Sequence, residues 1–257
     1  MITITVVAQK GGVGKTTTAA TLAAALAENG KRVLCIDLNE QADLTDTLEA
    51  ASGSAGSLEL FAGTPAAELI RDTATKNIKI ITGADNLATL EAVVSRASKS
   101  KAFLLEAALK PLQRKYDYCI IDAPGAFNSA FLNALVTSDS LVIPAQADYY
   151  SLKNIPTLIK NIRYVKNELN PALHVDGILL TRYQGRRNIS KTAVETLEAA
   201  REALGTRVFN AKIRENSKIA EAPGHRKTVL TYAPNSNGAE DYRAFIDEYL
   251  KILQGRK

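Results

Sequence analysis

An α/β fold with a mainly parallel twisted sheet and helices on both faces is what this sequence predicts, and three observations carry the prediction. Apolar runs of strand length alternate with amphipathic helical stretches along all 257 residues. The apolar run 2–8 leads directly into Lys10-Gly11-Gly12-Val13-Gly14-Lys15-Thr16-Thr17, a glycine-rich turn opening onto a helix. Two later apolar runs each end in a carboxylate, Asp37 and Asp122. Strands ending this way deliver side chains to the crevice at the carboxyl edge of such a sheet.

The elements follow in order. Residues 2–8 form the first strand, and the alanine-rich helix 16–28 stops at Asn29-Gly30. Lys31-Arg32 lead into strand 33–37. Residues 43–50 read as helix, and the Ser/Gly/Ala-rich stretch 51–57 reads as a surface loop. Short helices are expected at 57–61 and 65–71, then a strand at 78–82. A helix over 101–115 sets Phe103, Leu104, Ala107 and Ala108 on one face. Strand 117–122 runs into Ala123-Pro124-Gly125. Helix 128–136, buried strand 140–144 and a long helix 151–168 come next, with Pro156 near its first turn. Strand 175–181, helix 189–203 and a C-terminal helix 238–253 complete the chain. That last helix gathers Phe245, Ile246, Tyr249, Leu250 and Leu253 on one side. Asp241, Asp247 and Glu248 flank it, which favours packing on the sheet over lying on an anionic membrane.

Composition narrows the function. Apolar residues make up 46% of the chain, and no repeat or linker divides it, so a single domain over 1–257 is expected. The net charge of +5 favours a polyanionic partner. Cys35 and Cys119 sit in apolar strand-like runs and read as buried, reduced thiols of a cytoplasmic protein. With no Cys-x-x-Cys, and His174 far from His225, a zinc or iron–sulfur site is not expected. No signal peptide is expected, because the run 2–8 is too short, and no apolar run approaches the length of a membrane span.

The chemistry is concentrated in the glycine-rich turn. Gly11, Gly12 and Gly14 let successive N–H groups turn toward phosphate oxygens, and the helix behind them adds the positive end of its dipole. Lys15 would reach the β- and γ-phosphates, and Thr16 would place its hydroxyl on Mg²⁺. The strict Walker A pattern needs glycine where Gln9 stands, and an extra lysine, Lys10, opens the loop, so this is the deviant form of the motif of P-loop NTPases. In such proteins the carboxylate at Asp122 holds the Mg²⁺ shell, and Asp37, at the same edge of the sheet, is expected at the metal with Thr16 and Asp122. Pro124-Gly125 stands where a loop moves on loss of the γ-phosphate. Two basic clusters stand later in the chain. One is Arg182, Arg186, Arg187 and Lys191; the other is Lys212, Arg214, Lys218, Arg226 and Lys227. Tyr183 is the ring expected nearby, which favours phosphate contacts over base stacking.

Several segments together resemble the ParA/Soj family of DNA-partitioning ATPases, within the larger group that includes MinD. They are Gln9–Thr18, Gly30–Leu34, Tyr116-Asp117-Tyr118 through Asp122-Ala123-Pro124, Ile143-Pro144, and Tyr149-Tyr150-Ser151-Leu152. Leu179-Leu180-Thr181, Ala220-Glu221-Ala222-Pro223-Gly224-His225 and Gly238-Ala239-Glu240 extend the match across nearly the whole chain. The resemblance implies an ATP-dependent homodimer in which Lys10 reaches the partner's nucleotide, so that ATP binding assembles the dimer and hydrolysis releases it. It implies ATP and Mg²⁺ as cofactors, nonspecific double-stranded DNA as ligand, and a ParB-like centromere-binding protein that stimulates hydrolysis. Localisation would be cytoplasmic, on the nucleoid. Arg186 and Lys218 match positions where relatives carry DNA-binding arginines; lysine at 218 keeps the charge and loses the bidentate fork.

One position departs from the family's Asp-x-Asp-Pro-Gln: this chain reads Asp37-Leu38-Asn39-Glu40-Gln41. The second aspartate positions the attacking water, and an amide is a poor proton acceptor. Slow or absent hydrolysis with intact ATP binding is therefore expected. Three other readings stand beside this one. A MinD-like membrane-associated switch would need a basic amphipathic tail, which Lys251–Lys257 makes poorly. A metal-cluster reductase related to the nitrogenase iron protein would need exposed cysteines. A ligase such as a cobyrinic-acid amidase would need a second catalytic domain, for which no length remains. With the first strand at residue 2, no N-terminal helix-turn-helix domain is expected.

Overall fold

β1 (Ile2–Val6) is rich in β-branched residues, and every residue after the first is buried. That burial on both faces is the mark of a central parallel strand. The structure is a computed structural model that describes residues 1–257 apart from 52, 54, 84, 98–99, 147, 149–152, 185–190 and 256–257, and apart from the side chains of 191–193. β1 leads through the glycine-rich turn into α1 (Lys15–Glu28), which ends at Asn29 with Gly30 at φ +71°. β2 (Val33–Asp37) follows, buried throughout, then α2 (Asp43–Thr47), α3 (Ser57–Phe61) and α4 (Ala66–Leu69). β3 (Ile70–Asp72) and β4 (Ile78–Ile81) come next. After them stand α5 (Leu90–Ser95), α6 (Leu104–Leu109), β5 (Tyr118–Asp122), α7 (Ser129–Thr137) and β6 (Ser140–Gln146). The chain closes with α8 (Ile155–Glu168), β7 (His174–Tyr183), α9 (Lys191–Leu204) and β8 (Val208–Arg214), then α10 (Ser217–Glu221), α11 (Val229–Tyr232) and α12 (Asn237–Gln254).

The sheet has eight strands in the order β3-β4-β2-β5-β1-β6-β7-β8, parallel except for the antiparallel β3–β4 pair at one edge. The order puts β1 between β5 and β6, with β2 beyond β5, so the carboxyl ends of β1, β2 and β5 lie side by side. Asp37 and Asp122 are register partners there. Apolar residues pack on both faces of the sheet. Cys35 and Cys119, both free and buried, point to opposite layers of that core.

The structure corrects four local expectations. The helix expected over 65–71 ends at Leu69, and Ile70 turns extended to pair with Ile81. The helix expected over 101–115 is broken into α6 flanked by 3₁₀ turns at Lys101–Phe103 and Lys110–Leu112, where Pro111 lacks the N–H that would continue it. The helix expected over 43–50 stops at Thr47, with Glu49 at φ +48°. β8 was not anticipated: only Phe209 and Ile213 of its seven residues are buried, as suits an edge strand. The C-terminal helix packs as expected, burying Tyr242, Phe245, Ile246, Tyr249 and Leu253, with Phe245 edge-on to Phe209 at 5.0 Å.

Candidate nucleotide-binding site

The turn after β1 is built for an anion. Gly12 and Gly14 have φ of +72° and +88°, a region open to glycine and strained for other residues. A Cβ on Gly11 or Gly12 would meet nothing within 4 Å among the described residues, so the loop is open at these two positions. The N-cap of α1 is Gly14, which offers no side-chain acceptor, and the first turn carries no acidic residue. The leading N–H groups of this fourteen-residue helix therefore face the opening without a side-chain partner, at the positive end of the dipole. Lys15 is half-buried, its amine rests 3.4 Å from the Lys10 carbonyl, and burial lowers its pKa against the pull of Asp122 and Asp43.

Beside the loop stands a half-filled carboxylate. The Thr16 hydroxyl donates to Asp122 Oδ2 at 2.7 Å, while Asp122 Oδ1 is buried without a hydrogen-bond partner. Burial first, then the charge of Asp37, pushes the Asp122 pKa up to about 8. A part-buried hydroxyl paired with a buried carboxylate that has one oxygen uncommitted fits a hard divalent cation such as Mg²⁺. Asp37, the third residue expected at the metal, is committed elsewhere. Its Oδ2 accepts from the Thr45 N–H and hydroxyl at 3.0 and 2.8 Å, and its Oδ1 accepts from the Asn39 N–H at 3.1 Å. Asp37 fixes the β2–α2 loop, although burial raises its pKa too. Gly83 completes that network by donating to Thr45 Oγ1 at 3.0 Å, where any Cβ would strike the Asn39 carbonyl at 2.5 Å.

Asn39 faces inward. Its Nδ2 donates to the Asp122 main-chain carbonyl at 3.2 Å and lies 3.5 Å from Asp37 Oδ1, linking the loops after β2 and β5. Lys10, expected to reach outward, holds both oxygens of Asp148 in its own chain at 3.0 Å. On the other side of the loop lies a cavity of about 470 Å³, lined by Gly12, Val13, Gly14 and Thr17 together with Thr181, Arg182, Ile213, Asn216, Ile219, Pro223 and Tyr242. Ile213, Ile219, Pro223 and Tyr242 give it apolar surface beside the charged Arg182, Arg214 and Glu215, and this mixed wall against the phosphate loop suits a purine base. Residues 181 and 223 fall in segments that carried the resemblance, but nothing in their type or spacing marked them as cavity lining.

The basic face is largely tied to its own chain. Arg182 pairs with Glu215 at 3.1 Å. Arg214 is gripped by Asp241 and Glu240 at 2.7 and 3.1 Å, which raises its pKa, and it joins β8 to α12. Lys218 pairs with Glu221 at 2.7 Å, and the same carboxylate accepts from the Tyr232 hydroxyl. Of the expected DNA contacts, Arg182, Arg214 and Lys218 thus each rest on carboxylates of their own chain, Arg214 on two. Arg186 and Arg187 lie outside the described residues, and Lys191 opens α9 with its side chain likewise outside them. Tyr183 has company: Lys212 sits 4.8 Å above its ring, while Tyr232 carries Lys218 on its ring and stacks on His225.

Comparison with known proteins converges on this geometry. Residues 1–175 match a family model described as an AAA domain. The chain is 35% identical over 242 residues to the sporulation initiation inhibitor protein Soj of Bacillus subtilis, covering 93% of this chain and 94% of that one. It is 37% identical to the chromosome-partitioning ATPase Soj of Thermus thermophilus, over 96% and 94% of the two chains. Among solved structures, cobyrinic acid a,c-diamide synthase of Mycobacterium smegmatis with bound ADP and magnesium superposes with a TM-score of 0.83 at 26% identity, over 100% and 96% of the chains. This chain covers 96% of that one, so length does not set the ligase reading aside; the higher identity to the Soj proteins does. No helix among the described residues is long and apolar enough to cross a membrane.

Proposed function

Because the chain belongs to the Soj/ParA family of chromosome-partitioning ATPases, we propose that it works as a DNA-segregation ATPase, an Mg-ATP-dependent dimer that coats DNA without regard to sequence. The observation that carries this reading is the Thr16–Asp122 pair at the open phosphate loop, with one buried carboxylate oxygen uncommitted. Bound Mg-ATP supplies the phosphoryl group and the charge to be neutralised. The N–H groups of residues 11–16 and the Lys15 amine bind the phosphates, Thr16 and Asp122 hold the cation, and the 470 Å³ cavity takes the base.

Dimerisation exchanges one ion pair for another. Lys10 leaves Asp148 and meets the nucleotide of the partner subunit, so the γ-phosphate joins two protomers. Asn39 can orient water but accepts its proton poorly, which makes turnover slow until a ParB-like partner stimulates it. Arg182, Arg186, Arg187, Lys191 and Lys218 supply phosphate contacts that hold the dimer on the nucleoid. A MinD-like membrane role has less support, since the apolar side of α12 is buried in the protein.

Sizing the protein by light scattering with ADP, with Mg-ATP, and with Mg-ATP plus DNA tests the reading. A monomer with ADP, a dimer with Mg-ATP and a larger DNA-bound species are expected. A chain that stays monomeric in saturating Mg-ATP overturns it.

A further inference from the structure

The phosphate loop is held from behind by two side chains. Gln146, the last residue of β6, donates Nε2–H to the Gly12 carbonyl at 2.7 Å. Thr181, buried near the carboxyl end of β7, donates its hydroxyl to the Val13 carbonyl at 2.8 Å. In a trans peptide the C=O and N–H point in opposite directions. A donor that fixes the Gly12 carbonyl therefore aims the Val13 N–H the other way, and one that fixes the Val13 carbonyl aims the Gly14 N–H. These peptides border Gly12 and Gly14, whose missing Cβ atoms leave them otherwise free to rotate.

We infer that Gln146 and Thr181 are positioning residues for phosphate binding: they set the orientation of the peptides 12–13 and 13–14 before the anion arrives. The inference rests on the nucleotide reading above and deepens it. Dipoles aligned in advance spare the cost of turning them when the charge binds. Neither side chain need touch the phosphate.

Thr181 also borders the cavity assigned to the base, and its methyl lies 3.8 Å from where a Cβ on residue 14 would stand. A wall or packing role must therefore be told apart from positioning. Thr181→Val keeps the shape and removes the donor, whereas Thr181→Ser keeps the donor and removes the methyl. Gln146→Leu removes the other donor at a half-buried site, where folding is little at risk. The probes are magnesium tripolyphosphate, which has no base, and Mg-ADP, titrated calorimetrically. Thr181→Val and Gln146→Leu should each weaken both probes by about 3–10-fold, the scale of one neutral hydrogen bond, with Thr181→Ser within twofold of the parent. Loss confined to ADP makes Thr181 a wall of the base cavity and overturns the inference, as does equal loss in the Ser and Val variants. Should Thr181→Val fail to fold, unchanged affinity in Gln146→Leu overturns it alone. A parent chain that binds neither probe overturns the nucleotide reading itself.

Discussion

Asp122 is where stability and function conflict at the level of one residue. Its carboxylate is fully buried, one oxygen has no partner, and its pKa is raised chiefly by burial. Above that pKa an unpaired buried charge is unfavourable in the free protein, and it becomes useful when a cation arrives. Asp122→Asn keeps an oxygen for the Thr16 hydroxyl and removes the charge. In EDTA at about pH 9, above the raised pKa, its melting temperature should rise by about 2–4 °C, equivalent to about 1 kcal/mol, while Mg²⁺ loses its effect on ADP affinity. Thermal melts and calorimetry check both, and a variant that melts lower in EDTA refutes the conflict. Asn39 is the opposite case. Its amide donates where a carboxylate would face the Asp122 carbonyl and Asp37. Asn39→Asp should cost the nucleotide-free protein about 1–3 kcal/mol and raise ATP turnover by as much as ~10²-fold. Equal turnover in the two chains, measured by phosphate release, would show that the base at this position contributes nothing.

Elements meet at joints that carry their own pH dependence. Asp117, just before β5, accepts the Arg32 backbone N–H at 2.8 Å and the Arg32 guanidinium at 2.9 Å, tying the entries of β2 and β5 together. Those bonds hold its pKa down at about 2. The folded value lies below the unfolded one, so the stabilisation is present above about pH 4 and is lost as pH falls toward 2. Because the pair is solvent-exposed, Asp117→Asn should lose no more than about 1 kcal/mol at pH 7, and chemical denaturation curves of the two proteins should converge by pH 2. A gap that persists at pH 2 would place the effect in packing. Elements with a strong period or a stop signal were legible in the sequence. β1 is a run of β-branched residues, β2 and β5 are apolar runs closed by an aspartate, and α1 ends at Asn29-Gly30. β8 was not, because an edge strand with two buried residues lacks an apolar run, and its place depends on Phe209 meeting α12. In the site, the loop and its two carboxylates could be named from residue type and strand position. The pairing of Arg214 with Asp241 and the closing of Lys10 on Asp148 join residues 27 and 138 positions apart, a distance no local pattern spans.

For the whole molecule, the question on the proposed reading is how a chain of modest positive charge would grip DNA when part of its basic face is already paired. The net charge is +5, and Arg182, Arg214 and Lys218 each rest on a carboxylate of the same chain. A paired cation reaches a phosphate only by leaving its partner, which reduces what each contact adds. On the proposed reading one protomer would bind weakly, and joining two would double the number of phosphates met by a single body. ATP would then be required for DNA binding through assembly, without any change in the basic face itself. With about 4–6 phosphates neutralised per dimer, the log–log slope of affinity against salt should be about −4 to −5 in Mg-ATP, and binding should be indifferent to sequence. Arg186→Glu, placed in the segment matching the family's DNA contacts, should abolish DNA binding while leaving the ATP affinity and the Mg-ATP dimer unchanged. Fluorescence anisotropy across a salt series, run beside light scattering on the same samples, separates the two effects. A slope near −2 in Mg-ATP would mean that a single protomer does the gripping, and unaltered DNA affinity in Arg186→Glu would move the DNA surface elsewhere on the molecule.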